Sequence, residues 1–313
     1  MTIEIKITQE YSGVKPKNFL KKKLDLPFFK IQKYIKSKRI TLNGKKINAD
    51  SVLRLGDVVK IWLDDIKLRE IKKEFKEMKD LKLDIIFENE DFIVFNKLPE
   101  VIVQGAQDNN FSLSLHLAYY KNFKKDFSDF EYFHVHRLDK NTSGVLVVAK
   151  NRSSLRKFNE LFRSRDVVKK YVCLVYGILK IKKGVVEVFL KKNPEGSREK
   201  MSVVKTKTSE SRNSISNYVV LEEFEKDGDN FSLVEVEIKT GVTHQIRAHM
   251  KYLGCPILAD SMYGNSIINK KYSEILSRQF LHAKFLSFKF DDKQYDFEAE
   301  LTKDLIETLN FFK

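Results

Sequence analysis

The chain reads as an α+β protein: a mostly antiparallel mixed sheet with flanking helices, preceded by a small N-terminal α+β module. Three observations predict this. Between residues 83 and 290, short apolar and β-branched runs recur between turn residues, with few segments of helical period. Residues 15–46 instead combine helical periodicity with Asn43-Gly44, flanked by Ile40-Thr41-Leu42 and Lys45-Lys46-Ile47, a strong hairpin signal. The charge also changes along the chain. Residues 1–80 hold 21 Lys/Arg against 11 Asp/Glu, and the remainder hold 37 against 32.

Composition narrows the possibilities. With 313 residues, 42% of them hydrophobic, the chain can build a full core in one or two domains. No run of about 18 uncharged apolar residues exists, so no membrane span is expected. Met1 to Glu10 alternates polar and apolar residues and lacks the apolar centre of a signal peptide. The two cysteines, Cys173 and Cys255, sit in apolar surroundings. Disulfides and multi-cysteine zinc sites are therefore poor readings, and a reducing cytoplasm fits best. His244 and His249, five apart, lie badly on one helical face, so no metal set is expected. The net charge of +15 is concentrated at one end, which suggests a polyanion partner for the N-terminal module. A general surplus of Lys would explain the excess but not its position.

Taken in order, Phe19, Leu20, Leu24 and Leu26 form one apolar group, and Ile31, Tyr34 and Ile35 recur at helical spacing, with Lys on the other faces. These predict two basic helices. The hairpin follows, and Leu55-Gly56-Asp57 turns into a strand at Val58 to Ile61. Residues 64–82 alternate in charge and read as a linker between a module at 1–63 and a larger domain at 83–313. In that domain 83–87 and 92–97 read as strand, turn, strand, and 111–121 as helix. Val145 to Ala149 is a buried strand. Ser153 starts a helix to about Arg165, whose last-turn cations complement the helix dipole. Strands are expected at 169–177, 185–190, 202–208, 215–224 and 231–239, the last two joined by a loop at 226–230. Thr243 is the expected N-cap of a helix carrying Ile246, His249, Met250 and Leu253 toward the core, with His244, Arg247 and Lys251 on another face. Gly254 and Pro256 stop it. Residues 279–290 form a last strand-like segment.

The chemistry gathers around His136-Arg137-Leu138-Asp139, followed by Thr142-Ser143-Gly144 and the strand from Val145. A carboxylate in a loop held by a buried strand is placed as catalytic groups tend to be. On its own, Asp139 before Thr142-Ser143-Gly144 reads better as part of an ordinary turn than as a catalytic group. Further along come Lys170-Tyr171, then Thr240-Gly241-Val242-Thr243-His244-Gln245-Ile246-Arg247, Asp260-Ser261-Met262-Tyr263-Gly264, and Leu281-His282-Ala283.

In order and spacing, these motifs resemble the RluA-type pseudouridine synthase family over residues 83–300. Phe19-Leu20, Ile31 to Ile35, Arg39-Ile40-Thr41-Leu42-Asn43-Gly44 and Leu55-Gly56-Asp57-Val58-Val59 resemble the S4 RNA-binding domain over about 13–62. The combination is similar to that family's C-type branch, which acts on large-subunit rRNA. The resemblance implies isomerisation of uridine to pseudouridine within RNA, with 23S rRNA or a large-subunit assembly intermediate as the expected partner. It implies no cofactor, metal, membrane or obligate protein partner. A tRNA substrate, and a non-catalytic S4-type ribosome-assembly factor, remain the alternatives.

The resemblance also implies roles. Asp139 matches the nucleophile or base, suited to a sugar centre that becomes cationic as its glycosidic bond breaks. Arg247 matches the active-site cation that orients that carboxylate. Tyr171 matches the aromatic that stacks on an extruded uracil. Arg137 matches the residue that fills the space the base leaves. Leu281 would pack against the uracil, and Thr142 belongs to the substrate-binding loop. In the S4-like module Lys21, Lys22, Lys38, Arg39, Lys45 and Lys46 are the expected RNA-phosphate contacts. Four departures stand out: Lys15-Pro16-Lys17-Asn18, where the S4 pattern has Arg-Leu-Asp; Val242, where an Arg is usual; Lys97-Leu98-Pro99-Glu100, in place of Lys-Pro-x-Gly; and Gln104, near a usual His.

Overall fold

Alternating Ile3/Ile5 and Glu4/Lys6 make the first strand, β1 (Thr2–Lys6), in a computed structural model that describes residues 2–24, 28–47, 51–62, 83–103, 113, 116, 117, 120, 121, 124, 130–193 and 200–313. The chain divides into two units: Met1–Leu83 with Ile102–Phe133, and Asp84–Val101 with His134–Lys313. The charged segment 64–82, Gln104, and most of the expected helix at 111–121 lie outside the described residues.

In the first unit, helices α1 (Pro16–Leu24) and α2 (Phe28–Lys36) are followed by β2 (Ile40–Leu42), β3 (Lys45–Lys46) and β4 (Val58–Trp62). Pro16 opens α1, where its missing N–H costs nothing. The four strands run in the order β1-β4-β2-β3. Asn43 and Gly44 both have positive φ, 50° and 73°, as a two-residue hairpin turn requires. Asn43 Nδ2 donates to Asp57 Oδ1, and Val58 N donates to Asn43 Oδ1, both at 2.8 Å. Phe19, Leu20, Ile31, Ile40, Val59 and Ile61 form the core. The sequence reading did not anticipate β1, whose partner β4 lies far along the chain.

The second unit contains, in order, β5 (Asp84–Glu88) and β6 (Phe92–Lys97); after the short β7 (Phe133–His134) come β8 (Ser143–Ala149), α3 (Arg152–Ser164), β9 (Val167–Tyr176) and β10 (Lys183–Lys192). It continues with β11 (Met201–Val204), β12 (Arg212–Lys226), β13 (Asp229–Ile238), α4 (Gln245–Tyr252), α5 (Ser266–Lys271), β14 (Leu281–Phe290), β15 (Lys293–Glu298) and α6 (Lys303–Phe312). The long sheet has the order β11-β10-β12-β13-β9-β14-β8-β6-β5, with β15 pairing β14. Every named pairing along it is antiparallel except β14 with β8. This is the mixed, mostly antiparallel α+β sheet that the runs of short strands predicted. Phe92, Phe158, Phe288 and Phe290 stack edge-on and face-on where α3 covers the sheet.

Several boundaries differ. α3 starts at Arg152, one residue before the expected Ser153, and its cap is Asn151, whose side chain accepts from Ser154 N at 2.9 Å. β11 ends at Val204, short of 208, and β12 is longer than expected, running from Arg212 to Lys226. The 226–230 loop shrinks to a two-residue turn at Asp227-Gly228, both with positive φ. Thr243 does not cap α4. His244 takes the cap position in a left-handed conformation, φ 54°, with no capping hydrogen bond from its side chain. Among the described residues, no helix is long and apolar enough to cross a membrane.

Candidate active site

Asp139 opens a tight turn closed by Thr142 N donating to Asp139 O at 3.0 Å, and β8 begins one residue later. Buried cations hold this turn from two sides. Lys97, at the end of β6, is 1% exposed and donates to the carbonyls of Leu98 at 2.8 Å, Val101 at 3.0 Å and Lys140 at 3.0 Å. Burial, reinforced by Arg278 and opposed by Asp139, lowers the Lys97 pKa to about 7. Arg278 donates to the Asn141 carbonyl at 2.9 Å and is itself held by Asp304 at 2.6 and 3.0 Å. The two backbone carbonyls that follow Asp139 are therefore both gripped by side chains.

The sheet brings the next groups in. β8 meets β14 in parallel at Ser143/His282 and Gly144/Ala283. Ser143 Oγ and His282 Nδ1 share a hydrogen bond of 2.9 Å, and His282 Nε2 contacts the Ala299 carbonyl at 3.1 Å. Between β14 and β9 the register slips from His282/Val172 to Phe285/Lys170, so Ala283 and Lys284 together oppose Tyr171. Such a bulge bends a strand and re-aims its side chains. It falls where Tyr171 and Leu281 line the site.

Helix α4 carries Arg247. Gln245 fastens its start to the sheet. The Gln245 amide donates to the Ile215 carbonyl and Ser216 Oγ, both at 2.9 Å, and Thr240 Oγ1 donates to Gln245 Oε1 at 2.7 Å. His244 and Arg247 on the other face are buried as well, Arg247 against the Asp260 turn, whereas Lys251 further along that face is exposed. Arg247 Nε and Nη2 donate to Asp260 at 2.7 and 2.8 Å, and Nη1 donates to Asp139 Oδ2 at 3.1 Å. Burial works against the Arg247 charge, but the hydrogen bonds and field of Asp260, then Asp139, outweigh it and raise its pKa. Burial likewise opposes the Asp260 charge, yet Arg247 and the amides of Tyr263 and Met262 hold its carboxyl below the usual carboxylate range.

The Asp139 side chain keeps 22% of its surface exposed, so an acceptor oxygen faces solvent while Arg247 holds the group. His244 Nε2 stands 3.8 Å from Asp139 Oδ2, and its Nδ1 lies 3.2 Å from the Tyr263 hydroxyl. That hydroxyl accepts from Met201 N at 2.6 Å, and the Arg247 guanidinium lies over the Tyr263 ring at 5.1 Å. Burial, then Asp139, raises the Tyr171 phenol pKa, leaving a neutral aromatic wall.

Arg137, Asp139, Thr142, Tyr171, Arg247 and Leu281 all line one pocket of about 270 Å³. The six catalytic and substrate positions expected from the sequence thus come together. In the first unit, Lys38, Arg39, Lys45 and Lys46 are exposed and Lys21 is half-buried; the Lys22 side chain lies outside the described residues. Sequence reasoning gave no role to Asp260, Tyr263, Lys97 or Arg278. Asp260 carried a usable signal: an Asp whose carboxylate can take the amides two and three residues on, inside a short polar turn. Lys97 and Arg278 carried none, because what they hold is backbone. Val242, noted in the sequence as a departure from a usual Arg, lines the pocket, and Arg212, from β12, lines it too. Among the described residues, no group of His, Cys, Asp or Glu is placed to hold a metal ion.

The site is thus an Asp139–Arg247–Asp260 chain on a mixed, mostly antiparallel sheet, with Asp139 and Arg247 lining the pocket and Asp260 buried behind them. The family described as RNA pseudouridylate synthase matches residues 91–252. The chain is 36% identical over 283 residues to the ribosomal large subunit pseudouridine synthase C of Rickettsia felis, covering 87% of each chain. It is 32% identical over 292 residues to the protein of the same name from Haemophilus influenzae, covering 90% of this chain and 86% of that one. The solved structure of human RNA pseudouridylate synthase domain containing 1 is similar, with a TM-score of 0.60 and 26% identity over 70% of this chain and 84% of that one. The chain belongs to the RNA pseudouridylate synthase family. It is an RNA pseudouridine synthase, an isomerase whose substrate is RNA.

Proposed function

We propose that this enzyme isomerises specific uridines of large-subunit rRNA, with Asp139 as its catalytic carboxylate and an S4-like module at 1–63 that binds the RNA. In this reading, residues 64–82 link that module to the catalytic domain at 83–313. The supporting observation is the Asp139–Arg247 contact of 3.1 Å at the mouth of a pocket walled by Tyr171 and Leu281.

An extruded uridine stacks on Tyr171, with Leu281 against its other side. The N1–C1′ bond breaks, the uracil turns, and C5 bonds to C1′. The C5 proton is then lost and N1 is reprotonated, so atoms and charge balance without an external reactant. Asp139 acts on the sugar, as nucleophile or as base, while the bond to C1′ is broken. Arg247 holds the carboxylate toward the sugar, and Arg137 occupies the space the base has left. The rRNA assignment rests on the names of the two bacterial relatives and on the basic N-terminal module.

Pseudouridine mapping in rRNA and tRNA from a strain lacking the gene tests the substrate: loss of large-subunit rRNA sites is expected, and loss of tRNA sites alone overturns the assignment. Purified Asp139→Asn should release no tritium from C5-labelled uridine RNA; full release would remove Asp139 from the chemistry.

A further inference from the structure

A second cavity, of about 600 Å³, adjoins the catalytic pocket and shares Arg137, Tyr171, Arg212 and Gly241-Val242 with it. Its volume falls within the range of ligand-holding clefts, roughly 300–1,000 Å³. Its other walls bring in Arg165, Lys169 and Lys239, and no Asp or Glu is among its described lining residues.

These cations come from separate elements. Arg165 is the left-handed C-cap that ends α3. Lys169 is on β9, two residues before Tyr171, so the two side chains leave the strand on the same side about 7 Å apart. Arg212 is the first residue of β12. Lys239 is paired with Glu237. Arg165, Lys169 and Arg212 have no ion pair among the described residues. Burial, and then Arg165, lowers the Lys169 pKa. His136, in the same wall, is pushed down to about 3 by burial and by Lys169.

Arg165 and Arg212 are exposed and Lys169 is half-buried; like charges gathered around one cavity with no carboxylate among its described lining residues repel one another and favour an anion there. Phe162 is stacked on His136 with ring centres 5.0 Å apart, and Lys169 Nζ lies over its ring at 5.8 Å. Cations beside an aromatic plate suit a single nucleic-acid strand, whose phosphates and bases alternate.

We propose that this cavity is a phosphate subsite that holds the RNA backbone next to the target uridine, with Arg165, Lys169 and Arg212 as its cations. The inference rests on the reading of the Asp139 pocket as the place where the uridine sits. It adds a second point of grip on the same strand, which fixes where the uridine enters.

The test is a binding cycle with the full-length protein and a short single-stranded oligoribonucleotide carrying one uridine. The linkages around the uridine are replaced one at a time by neutral methylphosphonates. A triple variant, Arg165→Gln with Lys169→Gln and Arg212→Gln, should raise Kd about tenfold and flatten the salt slope by about 0.7 per lost contact. One or two neutral linkages beside the uridine should cost the wild type about tenfold and the triple variant less than twofold, because the partner charges are already gone. Arg165→Lys with Arg212→Lys keeps the charges and should keep the wild-type salt slope, which separates lost contacts from misfolding. An unchanged Kd and slope in the triple variant would overturn the proposal. So would linkage effects that simply multiply with the variant's, or competition by inorganic phosphate without such coupling. Turnover retained by Asp139→Asn would instead strike the reading of the pocket and leave this binding cycle interpretable.

Discussion

Asp260 accepts two hydrogen bonds from Arg247, at 2.7 and 2.8 Å, and leaves Arg247 one nitrogen for Asp139, at 3.1 Å. The carboxylate with no exposed side-chain surface therefore fixes the guanidinium, and the exposed one receives what remains. Asp260 is a positioning residue in this arrangement. The turn around it is rigid: its backbone carbonyl accepts from Gly264 N and Asn269 Nδ2, each at 2.9 Å.

Asp260→Asn keeps the acceptor oxygen for the Met262 and Tyr263 amides and removes the charge. The buried Arg247 then has only Asp139 as a counter-ion and swings toward it. Breaking a buried pair from one side costs about 3 kcal/mol of stability. A displacement of the cation by about 1 Å costs on the order of 100-fold in kcat. KM should change little, since Asp260 does not line the pocket. Single-turnover rates at saturating RNA and urea unfolding of the same preparation measure the two effects. A wild-type kcat would show that Asp260 serves the fold alone.

Some of this was readable in the residues and some was not. The strands of the long sheet announced themselves because each is a short β-branched run between turn residues. Asp139, Tyr171, Arg247 and Leu281 could be singled out because each sits in a motif whose order along the chain is informative. What escaped was what depends on distance in space. Lys97 reads as the last residue of a strand, and nothing local says that its ammonium reaches a carbonyl 43 positions later. Thr243 has the chemistry of a cap, but Gln245 takes up the Thr240 hydroxyl and the Val242 amide, and the helix starts after a left-handed His244. The basic cavity was invisible for the same reason: Arg165, Lys169 and Arg212 are separate cations in the sequence until the fold brings the end of α3 and the strands β9 and β12 around one cavity.

Lys97 sets a pH dependence for the loop that carries Asp139. Three carbonyls surround its nitrogen, and only the ammonium form has a proton for each. With a pKa of about 7 in the fold against 10.5 for an ordinary Lys, the third hydrogen bond is lost as pH rises through 7. kcat should therefore fall on the alkaline side with an apparent pKa near 7. Stability should move the other way. The unfolded chain binds the proton more tightly than the fold between pH 7 and 10.5, so the Lys97 contribution to stability improves as pH rises through that window and is at its worst below pH 7. Lys97→Met should lower turnover at neutral pH and remove the alkaline limb. Rate profiles and thermal melts over the same pH range check both. A profile whose alkaline limb survives in Lys97→Met would assign it to another group.

Gly144 decides whether β8 can approach β14 at all. Its φ is +118°, and a Cβ there would lie 2.2 Å from the Ala283 carbonyl oxygen and 2.6 Å from its nitrogen. Those atoms are backbone, so no side chain can move aside. Gly144→Ala must separate the strands where the Asp139 turn enters the sheet, and the lost pairing adds to the backbone strain. The expected loss is at least about 3 kcal/mol. Gly228→Ala is the comparison: φ is +76°, but nothing stands within 4 Å of the added methyl, so the cost is limited to about 1–2 kcal/mol of backbone strain. Urea unfolding of the two variants separates close approach from conformation. Turnover should follow the same order, with Gly144→Ala losing activity under conditions where it is still folded, since the displaced turn carries Asp139 away from Arg247. Equal losses of stability and activity in both variants would mean that the parallel pairing of β8 with β14 does not hold the Asp139 turn in place.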